Sequence, residues 1–145
     1  MYARLRDHQF SLYEDYARKR GLQGKSLLIL LWIYRHPKGI SQQTITRHTY
    51  STKQVVNAVI KNFSKKGYIK STVHPKDRRK KLIMLTEKGR QFAASIIGPM
   101  DEAEKKAFSQ LSAKQQQTLI ETTHLFTDVL TQEFMRLIKE ICPNI

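Results

Sequence analysis

Residues Ser71 to Gly89 read STVHPKDRRKKLIMLTEKG. Four cations stand in an unbroken row, Arg78-Arg79-Lys80-Lys81, and a single carboxylate, Asp77, heads the row. Guanidinium and ammonium groups at this density neutralise a polyanion, and the planar guanidinium fork also takes two acceptors at once. A second set lies upstream. On a helix that advances about 100° per residue, Lys53, Gln54, Asn57, Lys61 and Lys65 share one face, while Val55, Val56, Val59, Ile60 and Phe63 share the opposite one. Solvated helix faces usually mix Glu with Lys. This face carries no acid, only cations and amides, which are the groups that bond base edges and phosphates. The chemistry these residues suit is recognition of a nucleic acid by charge and by base contact.

The distribution of charge agrees. The chain of 145 residues has a net charge of +14. Residues 1–34 carry +3, residues 35–90 carry +13 and residues 91–145 carry −2. A chain that is basic only for solubility would spread its charge; concentration in one segment points to a polyanion partner. Catalysis is not expected. The sequence has no Gly-x-Ser-x-Gly and no His-Glu-x-x-His, and its 12 carboxylates fall mostly in the C-terminal third. GLQGKS, at Gly21 to Ser26, has two residues between its glycines where a phosphate-binding loop needs four, and no strand precedes it. His8, His36, His48, His74 and His124 show no i,i+3 or i,i+4 pairing, so neither a metal nor another cofactor is expected. The lone Cys142 excludes an internal disulfide and suits a reducing compartment. The longest apolar run, Leu27 to Tyr34, is far short of the roughly 20 residues that cross a bilayer. The first residues lack the apolar stretch of a secretory signal. These features predict a cytoplasmic protein with no membrane partner.

The elements that must position the two basic sets follow from punctuation. Leu5, Leu12, Tyr13, Tyr16 and Ala17 predict a first helix that stops near Arg20-Gly21. A second runs from Gly24 to about Arg35, ended by Pro37 and Gly39. Ser41 caps a short third helix to about His48. Ser51 to Gln54 has capping-box form and opens a fourth, ended by Gly67. Tyr68 to Val73 and Leu82 to Leu85 predict a two-stranded hairpin, with Pro75 to Lys81 as a long charged loop. Thr86 caps a fifth helix, which Gly98-Pro99 should kink or split. Ser112 to Gln115 opens a sixth, to about Ile141, with an apolar stripe of Leu119, Phe126, Val129, Leu130, Phe134, Leu137 and Ile141. A short helix, a tight turn and an amphipathic helix make a helix-turn-helix, and the hairpin adds a wing. The fold class is mainly α with a small antiparallel β-hairpin.

DRRKKLIMLTEKGRQFA, Asp77 to Ala93, resembles the wing signature of the MarR family of bacterial transcription regulators: Asp-Arg-Arg, a short strand, then Leu-Thr-x-x-Gly. SKKGYIK (Ser64 to Lys70) and ISQQTITRHTYSTKQVVNAVIKNF (Ile40 to Phe63) resemble that family's exit from the recognition helix and its two-helix reader. The resemblance covers the whole order of elements and is sharpest from Ile40 to Arg90. It implies a homodimer joined through the first and last helices, residues 1–22 and 90–145, around a winged core of residues 24–89, all in one domain. It also implies that Arg79 enters the minor groove of double-stranded DNA and that Asp77 braces an arginine and shapes the tip; from the residues alone, Asp77 is also a turn-former after Pro75. Ser51, Thr52, Lys53, Gln54, Asn57 and Lys61 would then meet the major groove. Arg78, Lys80 and Lys81 would hold flanking phosphates, as would Ser41, Gln42 and Gln43 at a helix end. A small apolar or phenolic effector is implied as well, and Tyr13, Tyr16, Trp32 and Tyr34 are the candidates to line its pocket. The function expected is a ligand-responsive repressor on a pseudo-palindromic operator. The alternative is an architectural or RNA-binding winged module that uses charge without base readout. Tyr50, in the helix-helix turn where a small residue is common, and Gly98-Pro99 depart from the family pattern.

Overall fold

A computed structural model describes residues 1–143. Six helices and one hairpin follow in the order α1 Tyr2–Lys19, α2 Gly24–Tyr34, α3 Gln42–His48, α4 Lys53–Lys65, β1 Ile69–His74, β2 Asp77–Leu85, α5 Glu87–Ser109 and α6 Ala113–Ile141. The expected fold class, mainly helical with an antiparallel hairpin, is the one found. The chain divides into two compact units, Met1–Met100 and Asp101–Ile145. The C-terminal segment expected at 90–145 ends two residues beyond the described ones.

The first unit is built on a continuous apolar core. Ile29, Leu30 and Ile33 of α2, Ile45 of α3, Val56 and Phe63 of α4, and Ile96 and Ile97 of α5 are fully buried in it. Ile83 and Leu85 of β2 join them, which ties the base of the wing to the helices. A second tie is backbone. Ile40 and Ile83 exchange hydrogen bonds of 3.0 and 2.8 Å, so the residue before α3 pairs with the wing strand.

Local chemistry sets the ends of the elements. Ser41 caps α3, its Oγ accepting from the Thr44 amide at 3.1 Å. Gly67, at φ +73°, ends α4 where a side chain would be strained. Thr86 Oγ1 accepts from the Gly89 amide at 3.0 Å and donates to the Gly67 carbonyl at 2.6 Å, so one hydroxyl joins the start of α5 to the end of α4.

Four expectations need correction. The cap of α4 is Thr52, not Ser51: Thr52 Oγ1 accepts from the Val55 amide at 3.3 Å. Ser51 is taken up by the preceding turn, where its amide bonds the Thr46 carbonyl at 3.2 Å and its Oγ bonds Thr49. The charged segment is strand rather than loop. β2 begins at Asp77, only Pro75 and Lys76 separate the strands, and Val73 pairs with Lys81 while His74 pairs with Asp77, so that Arg78, Arg79 and Lys80 bulge between the two pairs. Cations seldom favour strands, but both faces of this end of the ribbon meet water, so the ladder is not opposed by burial of charge. Val55 is 38% exposed instead of lying in the core with Val56 and Val59. Finally, α5 is not split: it is one helix from Glu87 to Ser109 with Pro99 inside it.

The helix tolerates that proline with the help of α1. Proline lacks the N–H that would bond the carbonyl four residues back, Ser95, and its ring disturbs the neighbouring turn. The Arg20 guanidinium donates to the Ser95 carbonyl at 3.3 Å, and the Tyr16 hydroxyl donates to the Ile96 carbonyl at 2.6 Å. Tyr16 of α1 and Arg20 at its C-cap thus occupy acceptors beside the proline. Tyr16→Phe should cost about 1 kcal/mol by leaving a part-buried carbonyl without its donor. A lowered midpoint at unchanged slope in urea denaturation would show it.

The second unit holds α6, capped by a reciprocal Ser112–Gln115 box as expected. Gln116 Nε2 donates to the Phe108 and Leu111 carbonyls at 3.0 and 3.2 Å, fixing the turn that leads into the helix. None of the 29 residues of α6 is buried.

Candidate nucleic-acid interface

The turn between α3 and α4 decides how the polar face of α4 is presented. The Tyr50 amide bonds the Arg47 carbonyl at 3.3 Å and the Ser51 amide bonds the Thr46 carbonyl. This is the paired closure of a Schellman motif, with Tyr50 in the left-handed position at φ +50°. Lys25 Nζ donates to the Thr49 carbonyl at 2.9 Å, placing a cation at the negative end of α3. Thr49 is buried, and its hydroxyl bonds the Ile45 carbonyl at 2.8 Å. The reader therefore sits on a turn held from three sides.

On α4 the apolar stripe of Val56, Val59 and Phe63 is buried and Ile60 is half-buried. Thr52, Lys53, Gln54, Asn57 and Lys61 are all exposed, and Ser51 is half-buried. Val55 stands out among them, an apolar contact that helical periodicity had placed inside. Asn57 does not project alone. Gln42 Nε2 of α3 donates to its Oδ1, so the two helices of the reader share an amide pair on their outer side. Gln42 and Ser41 are half-buried, and Gln43 is exposed.

The wing extends this surface. Lys81, paired with Val73, shares its face of β2 with Ile83 and Leu85, while Arg78, Arg79 and Lys80 lie in the irregular stretch between the Asp77 and Lys81 pairs. None of the four cations has an acidic or aromatic partner among the described residues, and all four are exposed. Asp77 does not clamp a guanidinium. Its Oδ1 accepts from the Arg79 backbone amide at 3.0 Å, and His74 Nδ1 accepts from the Lys76 amide at 3.0 Å. The acid shapes the tip as a local turn-former and so aims the strand that bears Arg79.

The four aromatic residues expected at an effector pocket point in different directions. Tyr16 is engaged with α5, as described. Trp32 stacks on His48 of α3 at 4.4 Å and on His36 at 5.6 Å between ring centroids. Tyr34 packs at the edge of the core, and Tyr13 is exposed.

Residues 20–80, which span the reader and the tip of the wing, match the model of the MarR family. Over this segment the chain is similar to that family. No curated protein is matched by sequence. Among solved structures, the MarR fold extends over nearly the whole chain. NMB1585, a MarR family regulator from Neisseria meningitidis, is 21% identical, with a TM-score of 0.78 over 93% of this chain and 94% of that one. MepR of S. aureus in its complex with DNA is 20% identical, with a TM-score of 0.75 over 89% and 93%. The PcaV regulator of Streptomyces coelicolor, bound to its natural ligand, is 16% identical, with a TM-score of 0.65 over 88% and 89%. Among the described residues no helix is long and apolar enough to cross a membrane.

Proposed function

We propose that this chain is a transcription regulator that binds a specific double-stranded DNA site as a homodimer. The observation that carries this is the exposed polar face of α4, which holds cations and amides and no acid, beside a strand with four unpartnered cations. The N-terminal half of α4 would enter the major groove through Thr52, Lys53, Gln54 and Asn57, with Lys61 further along. Arg79 would reach the adjoining minor groove, while Arg78, Lys80, Lys81 and the Ser41–Gln43 end of α3 hold phosphates. MepR, of the same fold, has been solved with DNA on it, which supports a duplex as the polyanion. Residues 24–89 form the DNA-binding core in this reading, and segments 1–22 and 90–145 bring two copies together on a pseudo-palindrome. The protein acts in the cytoplasm, where its DNA is.

The finer part of the proposal is repression relieved by a small apolar or phenolic effector. PcaV was solved with its natural ligand, which supports a ligand site in this fold. An effector reaching Tyr16 or Trp32 has to displace the Ile96 carbonyl or the stacked histidines, and so would act on α1, α3 and α5 together.

Salt titration of binding tests the reading. A duplex that the protein selects from a random pool should bind at least a thousandfold more tightly than random duplex, a ratio on the order of that of specific regulators. Arg79→Ala should cost roughly 1–3 kcal/mol on the selected duplex and leave the thermal transition unchanged. Equal affinity for all duplexes, with equal salt slopes, would make the chain an architectural module that binds by charge alone.

A further inference from the structure

Among the described residues, left-handed backbone is adopted by three glycines, Gly21, Gly39 and Gly67, and by one residue with a side chain, Tyr50. At φ +50° the Cβ of Tyr50 crowds the following carbonyl, which is why the residue after a helix C-cap is so often glycine. Such strain persists only when something offsets it. Burial does not, because Tyr50 is 93% exposed. Nor do bonds of its side chain: neither ring nor hydroxyl has a partner among the described residues. The turn itself is closed by backbone bonds that glycine would make equally well.

Location supplies what the free chain lacks. Tyr50 lies between the end of α3 and Ser51, Thr52 and Lys53, the end of α4 that leads into the groove. We propose that Tyr50 is a DNA-contacting residue: its hydroxyl donates to a backbone phosphate at the edge of the major groove and its ring packs on the adjoining deoxyribose. Tyrosine hydroxyls are among the groups that bond phosphates and set register on a duplex. The contact rests on the DNA-binding function proposed above. It assigns Tyr50 a positioning role without base readout.

The test compares wild type, Tyr50→Gly and Tyr50→Phe on two probes, a duplex that wild type selects from a random pool and an unrelated duplex. Thermal denaturation runs alongside. Tyr50→Gly should melt at or above wild type, because glycine takes the left-handed conformation without strain. Its affinity should fall about tenfold or more on both duplexes, the size of one lost backbone contact. Tyr50→Phe should lose affinity several-fold on both with an unchanged salt slope, since a neutral hydroxyl releases no counterion. Wild-type affinity in Tyr50→Gly would overturn the contact. A lower melting temperature in that variant would make Tyr50 a structural residue, and a loss confined to the selected duplex would overturn the backbone assignment. If wild type selects no duplex at all, the DNA-binding reading fails first and this contact falls with it.

Discussion

Replacing Gly89 with alanine is expected to lower the stability of the fold by about 3 kcal/mol or more, the upper end of what overpacking costs. A Cβ built on Gly89 would lie 1.8 Å from the Tyr68 carbonyl oxygen and 2.7 Å from its carbon. Neither backbone can give way cheaply. The Tyr68 carbonyl accepts from the Thr86 amide at 2.9 Å, and Gly89 itself donates to the Thr86 hydroxyl. The Tyr68 ring stacks on Phe92 at 4.3 Å and meets the edge of Phe63 at 6.3 Å. The glycine of the Leu-Thr-x-x-Gly pattern therefore permits the close approach of α5 to the chain that enters the wing. Gly98→Ala is the control, since a Cβ there meets nothing within 4 Å. That variant should hold or gain up to about 1 kcal/mol through helix propensity. Urea denaturation of both variants decides the matter: similar midpoints would show that the contact at Gly89 relaxes.

Much of this architecture was legible because it is local. The caps at Ser41 and Ser112, the glycines after α1 and α4, and the two faces of α4 each depend on residues within one or two turns. What escaped depends on contacts distant in sequence. Pro99 in isolation signals a break in α5; it is accommodated with help from Tyr16 and Arg20, about 80 residues earlier. The pairing of Ile40 with Ile83 and of Gln42 with Asn57 leaves no periodic signal at all. The wing was misjudged for another reason. Composition said loop, but on a ribbon wet on both faces no burial of charge opposes extended backbone, and β2 begins at Asp77, with Lys81 paired to Val73 beyond an irregular stretch of three cations. The arginine brace expected of Asp77 and the helix cap expected of Ser51 failed on a smaller scale. Each residue was given a distant or helical partner when a backbone amide or a turn hydroxyl one or two residues away was nearer.

Replacing Phe134 with aspartate should separate the two copies of the proposed dimer and reduce affinity for the selected duplex by at least about a hundredfold. That is the advantage expected from linking two half-site contacts. α6 is about 43 Å long at 1.5 Å per residue. Eleven of its large apolar side chains are exposed, more than a lone surface helix has reason to carry. Phe126, Leu119, Leu137, Leu130, Ile141 and Phe134 fall within about 80° of its circumference, a continuous seam running most of its length. Phe134 is 55% exposed in the single chain, so a carboxylate there disturbs no packing of that chain. In a seam between copies it would bury an unpaired charge, which costs several kcal/mol. The core of residues 1–100 has its own buried cluster and should keep its thermal transition. Sedimentation equilibrium should find dimers in wild type and single chains in the variant at micromolar concentration. A variant that remains dimeric with undiminished affinity would mean that the copies meet elsewhere, and that the exposed seam of α6 serves another partner.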